Sequence, residues 1–207
     1  MLLLSTLLGR LAGLNQDTGG VYETADLAVI LEIDHPCRLT EAIARLLREG
    51  VLERLRRGLY VDVLNGYRPE VAGQRWLAPG YLSTETALDR HGLCRTGIVA
   101  FTYVTTRLIP RREQATRSLQ GRQLVYRHLA PHLFFGYRPE AGILLAEPEK
   151  AALDLLYYLY KGQGSALCAA DIDFASLRAS RYRSYLRAYR RQAGFEQYAL
   201  GRLRSPE

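Results

Sequence analysis

The 207-residue sequence predicts an α+β fold. Two observations carry this expectation. Apolar residues follow a helical spacing at both ends of the chain, and only a few stretches between, such as "GIVAFTYVTT" and "QLVYRHL", have the composition of strands. Turn residues punctuate these elements, and neither repeats nor low-complexity segments interrupt them. A hydrophobic fraction of 48% beside 24% charged residues suits a globular chain with a sizeable core.

The first element is the stretch "MLLLSTLLGRLAGL", whose leucines at 4, 7, 8, 11 and 14 have helical spacing. It lacks a basic leader and is interrupted by Arg10, so neither a signal peptide nor a membrane span is expected. Gly19 and Gly20 break the chain, and Thr24 is expected to cap a short helix over residues 25–31. In "DHPCRLTEAIARLLREG", Asp34 or His35 can cap, Pro36 suits the first turn, and Gly50 stands where a C′ glycine would. Residues 39, 42, 43, 46 and 47 form its apolar stripe, and Arg38, Thr40, Glu41, Ala44, Arg45 and Arg48 occupy the other face. The hairpin "LERLRRGLYVDV" follows at once, with Gly58 supplying a positive φ at its tip.

A short helix, a tight turn, an amphipathic helix and a hairpin occur in that order in winged helix-turn-helix domains. The expected architecture is therefore an N-terminal winged helix-turn-helix over residues 1–66 and a mixed α/β domain over residues 67–207. In such a domain the second helix enters the major groove and the wing meets phosphates or the minor groove. The expected base-reading side chains are Arg38, Thr40, Glu41, Arg45 and Arg48, with Glu41 accepting from a cytosine amine. Arg56 and Arg57 are expected to meet phosphates, Arg54 to brace the wing, and Tyr60 to join the core. The plainer reading is a core helix with a charged outer face, on which Glu41 and Glu49 orient neighbouring arginines, followed by a solvated hairpin.

Residues 67–79 contain Pro69, Gly73 and Pro79 and read as a linker or loosely helical connection. "YLSTETALDRHGL" predicts a helix of about two turns, capped by Ser83 and stopped at Gly92. Strands are expected over 97–106, 123–129 and 141–147. Pro148 then opens the apolar helix "EKAALDLLYYLY", ended by Gly162 and Gly164, and two more helices lie around "RYRSYLRAYRRQ" and "FEQYALGRL".

Charge is unevenly distributed. The chain carries +7, and its only lysines are Lys150 and Lys161. Through Gly66, seven arginines oppose nine acids, a net of −2, so the remainder carries +9. Nucleic-acid affinity in the first part must come from local placement, whereas the second part is basic in bulk. Arg181, Arg183, Arg187, Arg190 and Arg191 surround a stripe of Tyr182, Tyr185, Leu186 and Tyr189. They form either a surface for nucleic acid or an acidic partner, or a solvated rim on a tyrosine-packed helix.

Cys37, Cys94 and Cys168 match no paired metal-ligand spacing, so a reducing cytoplasm is expected and neither metal nor cofactor. Ser83, Asp89, His91 and Cys94 lie close in sequence, but there is no nucleophile elbow, HExxH, phosphate-binding glycine loop or dinucleotide fingerprint. Glu147, Glu149, Lys150 and Asp154 resemble a nuclease's acid and lysine set. At a helix start, dipole stabilisation by the two glutamates is the more economical account, and a protein without enzymatic activity is expected.

Three stretches, "LTEAIARLLREGVLERLRRGLYV", "YLSTETALDRHGL" and "FFGYRPEAGILLAEPEKAALDLLYYLY", resemble in order and spacing the AbiEi family of antitoxins of bacterial type IV toxin–antitoxin systems. The resemblance runs from about residue 22 to 161. It implies a winged helix-turn-helix that binds double-stranded operator DNA and represses its own operon. It also implies a C-terminal domain that counteracts a nucleotidyltransferase-like toxin encoded alongside. Two copies on related half-sites are expected on DNA, and no membrane partner. The alternatives are a solitary winged-helix regulator without a toxin and a metal-dependent nucleic-acid-processing enzyme using the cluster from Glu147 to Asp154.

Overall fold

The computed structural model describes residues 4–94, 100–109, 116–163 and 172–203. Helices and strands are mixed in the α+β manner expected, and the chain divides into two compact units, Met1–Trp76 and Leu77–Glu207.

Unit 1 runs α1 (Leu4–Thr18), β1 (Val21–Glu23), α2 (Thr24–Leu31), α3 (Pro36–Arg48), β2 (Leu52–Arg56), β3 (Leu59–Asp62) and α4 (Pro69–Trp76). The apolar stripes meet in one core, where Leu7 and Leu11 of α1 join Leu27 and Leu31 of α2 and Leu39, Ile43 and Leu46 of α3. Tyr60, as expected, is buried among them. The three strands form an antiparallel sheet in the order β1-β3-β2. Strand β1 is only three residues long and escaped the sequence reading, yet it pairs Tyr22 with Tyr60 and closes the sheet on the side away from β2. Its presence also changes the cap of α2. Glu23, the last residue of β1, is the N-cap, and its N–H donates to the Asp26 carboxylate at 2.8 Å. Thr24 instead starts the helix, with its own N–H given to the carbonyl of Gly58 at 3.1 Å.

Helix α3 begins at His35 and Pro36 as the sequence predicts, and its end is a complete Schellman turn. Gly50 sits at φ +68, its N–H donates to the Leu47 carbonyl at 3.2 Å, and the Val51 N–H donates to the Leu46 carbonyl at 3.0 Å. Val51 and Leu46 are both buried, which supplies the hydrophobic contact of that motif. The hairpin follows without slack. A register shift between Arg54 and Arg56 breaks the simple alternation of β2 beside its tip.

The unit ends ten residues beyond the expected boundary at Gly66, because residues 69–76 form a helix, the second of the two readings of that connection. The Arg68 N–H donates to Gly19 at 2.9 Å, and the Arg75 guanidinium reaches the Val21 carbonyl at 3.0 Å and the Asp26 carboxylate at 3.1 Å. These bonds tie α4 to the β1–α2 corner.

Unit 2 is built on a six-stranded mixed sheet of order β6-β7-β5-β4-β9-β8. Its strands are β4 (Gly80–Leu82), β5 (Ala100–Thr105), β6 (Thr116–Leu119), β7 (Arg122–His128), β8 (Tyr137–Glu140) and β9 (Ile143–Ala146). Three of these were not expected. β4 has only three residues, while β6 and β8 are edge strands, β6 exposed along most of its length and β8 at its middle two positions, one of them Pro139. Each edge strand reaches its neighbour through a two-residue turn with both residues at positive φ, Gln120-Gly121 and Ala141-Gly142. Ala141 and Gly142, read from sequence as the start of a strand, are therefore a turn. The helices are α5 (Thr84–Arg90), α6 (Pro148–Tyr160), α7 (Ala179–Leu186) and α8 (Phe195–Leu203), with a 3-10 turn over Arg187–Arg191 between the last two. Residues 97–99 of the expected strand, Gly164 and Cys168 lie outside the described residues. Among the described residues no helix is long and apolar enough to cross a membrane.

Gly50 isolates the conformational term of the α3–β2 turn, because a Cβ there would meet nothing within 4 Å. Gly50→Ala is expected to lower the free energy of unfolding by about 1 kcal/mol, the cost of a left-handed backbone for a residue with a side chain. Urea unfolding of the two proteins measures it. An unchanged midpoint would mean the turn relaxes without cost.

Candidate nucleic-acid interface

The residues expected to face DNA sit on the outside of α3. Arg38, Thr40, Glu41 and Arg48 are exposed, and Arg45 is half-buried. At about 100° per residue, Cys37, Glu41, Ala44 and Arg48 lie along the face opposite the core, with Arg38 and Arg45 on one flank. Arg38, Glu41, Arg45 and Arg48 share one wall of a groove of about 840 Å³ that Leu7, Ile33 and Ala42 also line. Thr40 is not with them. It projects about 160° around the helix from Arg38, and its hydroxyl donates to the Pro36 carbonyl at 2.9 Å, one turn back. The helix thus gathers four of the five expected residues on one side.

Arg38 and Glu41 carry opposite charges one turn apart, yet neither makes an ion pair or hydrogen bond through its side chain among the described residues. The expectation that Glu41 orients its neighbours is therefore not met in this geometry. The same holds for the Arg48 guanidinium, which points to solvent.

The β2–β3 hairpin uses its three arginines differently from one another. Arg56 spends its guanidinium on backbone carbonyls: Nε donates to Trp76 at 3.1 Å and its terminal nitrogens donate to Arg57 at 3.1 Å and Arg75 at 3.2 Å. Glu23 lies 4.0 Å away. Arg56 thereby cushions the carbonyl end of α4, where a cation is favourable. Arg54 lays its guanidinium over the Tyr60 ring, 5.6 Å from the centroid, which fits the bracing role expected of it. Only Arg57 presents its charge outward at the tip, beside Gly58 at φ +77. Sequence could not separate Arg56 from Arg57, because the partner of Arg56 is a helix end 19 and 20 residues away.

In unit 2, the acid and lysine set does not converge on an open site. Glu147 is the N-cap of α6, and its carboxylate accepts from the Tyr185 hydroxyl and lies 3.4 Å from Arg181. Glu149 accepts from the Arg178 N–H at 3.0 Å. Both stand at the positive end of the helix, as the dipole argument expects. Lys150 and Asp154 go inward, fully buried, and form an i,i+4 ion pair. Asp154 further accepts from Tyr81 and Ser83, both at 2.8 Å, and from Tyr189 at 2.9 Å. Lys150 also donates to the Tyr189 hydroxyl at 2.9 Å and lies 5.2–5.6 Å from the ring centroids of Phe135, Tyr189 and Tyr81. Ser83, expected to cap α5, stands at its N-cap position but gives its hydroxyl to Asp154 instead. Two charges at i,i+4, with only apolar residues between them and only apolar or tyrosine residues over the six positions after Asp154, were the sequence signal for this pair.

Burial lowers the Lys150 pKa from its ordinary 10.5, with Asp154 opposing the shift. Burial, reinforced by the Asp154 charge, holds Tyr81, Tyr158 and Tyr189 well above their ordinary value of 10.0. Among the described residues no group of three or more His, Cys, Asp or Glu could hold a metal ion.

The C-terminal arginines occupy two segments rather than one helix, since α7 gives way to the 3-10 turn at Arg187. Tyr182, Leu186 and Tyr189 are buried, and Arg183, Arg187, Arg190 and Arg191 are exposed, with only Arg181 engaged, by Glu147. No acidic residue occurs between Asp173 and Glu196.

No protein-family model matches the chain, and no curated protein matches it. Among solved structures it is similar to the RV2827C protein from Mycobacterium tuberculosis, known from its crystal structure, with a TM-score of 0.58 and 18% identity. The match covers 97% of this chain and 78% of that one. At this identity the likeness concerns the fold.

The buried cluster makes two measurable demands. Lys150→Ala strands the Asp154 carboxylate and is expected to cost about 3–5 kcal/mol in urea unfolding. A loss below about 1 kcal/mol would show that the pair is not desolvated. On the pH axis the signs oppose. A lysine with a lowered folded pKa binds more protons when unfolded, so its contribution to stability rises with pH up to 10.5. A tyrosine with a raised folded pKa contributes stability that is whole below pH 10.0 and is lost as pH climbs above it. Three such buried tyrosines stand against one lysine, so stability is expected to fall above pH 10, read as a lower urea midpoint. A urea midpoint that stays level as pH rises above 10 would contradict this.

Proposed function

We propose that the chain is a DNA-binding antitoxin and transcriptional autorepressor, whose unit 1 reads operator DNA as a winged helix-turn-helix. The observation that carries this reading is the direct passage from α3, with its outward Arg38, Glu41 and Arg48, through the Gly50 turn into the β2–β3 hairpin tipped by Arg57. The helix-strand-helix-helix-hairpin sequence of unit 1 and its β1-β3-β2 sheet support it further.

In this reading α3 lies in the major groove, where Arg38, Glu41 and Arg45 meet base edges, and Arg57 fixes register on a phosphate. Arg56 acts by holding the hairpin to α4 rather than by touching DNA. The basic remainder of the chain adds salt-dependent affinity, because each neutralised phosphate releases counterions. Counteraction of a nucleotidyltransferase-like toxin by unit 2 rests on the family resemblance. A neighbouring gene of that kind whose toxicity the chain relieves would separate an antitoxin from a solitary regulator.

The deciding experiment is binding to the chain's own promoter fragment, beside a scrambled duplex, across a salt series. Wild type is expected to prefer the promoter. Arg57→Ala should weaken both duplexes alike and reduce the salt slope by about one. Arg56→Ala should instead appear mainly as a loss of about 1–2 kcal/mol in unfolding, the scale of charge-assisted bonds at a partly exposed site. Equal binding of promoter and scrambled duplex, unaffected by Arg57→Ala, would reject the DNA-reading function.

A further inference from the structure

We infer that the operator half-site read by α3 is a G·C step pattern, with Arg38 on a guanine and Glu41 on the cytosine of an adjacent pair, and with no adenine-specific readout. The inference rests on the proposed DNA-reading role of α3 and adds what it reads.

The argument starts from what the helix offers. In the major groove guanine presents two acceptors, O6 and N7, which an arginine fork meets in a bidentate fashion. Cytosine presents an N4 amine, which a carboxylate accepts. Adenine presents a donor and an acceptor side by side and is read by the amide of Asn or Gln. Helix α3, PCRLTEAIARLLR, contains neither amide residue. Its outward polar groups are arginines, one glutamate and Thr40, whose hydroxyl proton is committed to the Pro36 carbonyl.

Availability narrows this further. Arg38 and Glu41 lie in the first two turns of α3, the end from which such helices contact base edges. They are one turn apart, so their side chains reach neighbouring base pairs. Both are exposed, and because they do not pair with each other or with another described residue, neither has to break an ion pair to meet a base. A carboxylate on this face also works as a filter. It repels phosphate and the O6 and N7 acceptors of guanine, so Glu41 favours cytosine at its position and disfavours every base that shows only acceptors there. Ala44, on the same face, can add contact with a thymine methyl.

The test is selection of duplexes from a random pool by the full chain, repeated with Glu41→Gln and Arg38→Ala. Wild type is expected to enrich half-sites with a fixed G and an adjacent fixed C. Glu41→Gln should convert the fixed C to A, with about a tenfold change in relative affinity between the two sites, since the amide now matches adenine. Arg38→Ala should erase the fixed G and leave the C. Enrichment of an A·T half-site by wild type, or an unchanged selected sequence in Glu41→Gln, overturns this assignment while leaving sequence-specific binding intact. Absence of any enriched sequence would instead overturn the DNA-reading function itself, and this assignment with it.

Discussion

The six residues from Leu46 to Val51 fix what unit 1 can present. A Schellman turn satisfies the last carbonyls of α3 by reversing the chain through one left-handed residue, and the next residue is already buried in the core. The hairpin therefore has no free linker. The Val63 N–H donates back to the Val51 carbonyl at 2.9 Å, so the far strand is anchored to the same turn. Everything outward on α3 and everything at the hairpin tip is held in one geometry by this short segment. Arg56, reaching the carbonyls at the end of α4, braces the other side of the hairpin. A surface that must match a rigid ligand benefits from such support, because ordering it on binding would cost affinity.

Unit 2 is organised by the opposite device, a charge taken inside. Asp154 accepts from four donors drawn from β4, the start of α5, α6 and the 3-10 turn. A carboxylate has about four lone-pair sites, so the cluster saturates it. The Lys150 ammonium completes its own shell with the Tyr189 phenol and the rings of Tyr81 and Phe135. Apolar residues of similar volume could match such a pair in stability. What the pair adds is a constraint on arrangement, since a packing that separates Asp154 from these donors leaves a buried charge unsatisfied.

Much of this was legible in the sequence, and the failures have common causes. Long periodic segments such as α3 and α6 were placed within a residue or so, because their amphipathic spacing, proline starts and glycine stops all agree. The missed strands are three or four residues long, too short to show alternation, and three of them, β1, β6 and β8, are edge strands. Helix α4 was obscured by Pro69 and Gly73, which read as breakers although Pro69 is its first residue. On α3, sequence identified which side chains lie outside, since burial follows from period. It could not tell Arg56 from Arg57 or foresee the bond from Thr40 to Pro36, because those depend on a distant helix end and a rotamer.

The arginines show why composition alone is a poor guide here. Arg10, Arg56, Arg75 and Arg127 all donate to backbone carbonyls, at Leu31, Trp76, Val21 and Gln163. A planar fork with five donors can bridge several carbonyls at once, which a lysine cannot do as well. Part of the arginine richness is thus structural cross-linking and carries no information about an anionic partner. Subtracting it leaves, among the described residues, a smaller set, Arg38, Arg48 and Arg57 in unit 1 and Arg107, Arg178, Arg183, Arg187, Arg190 and Arg191 in unit 2. In unit 1, whose first 66 residues are net acidic, such a set can only work by position, through a few contacts that discriminate. In unit 2, a run of arginines without an acid between Asp173 and Glu196 produces a field that attracts any polyanion. The first arrangement favours specificity and the second affinity, which is the division of labour that the proposed DNA-binding role calls for.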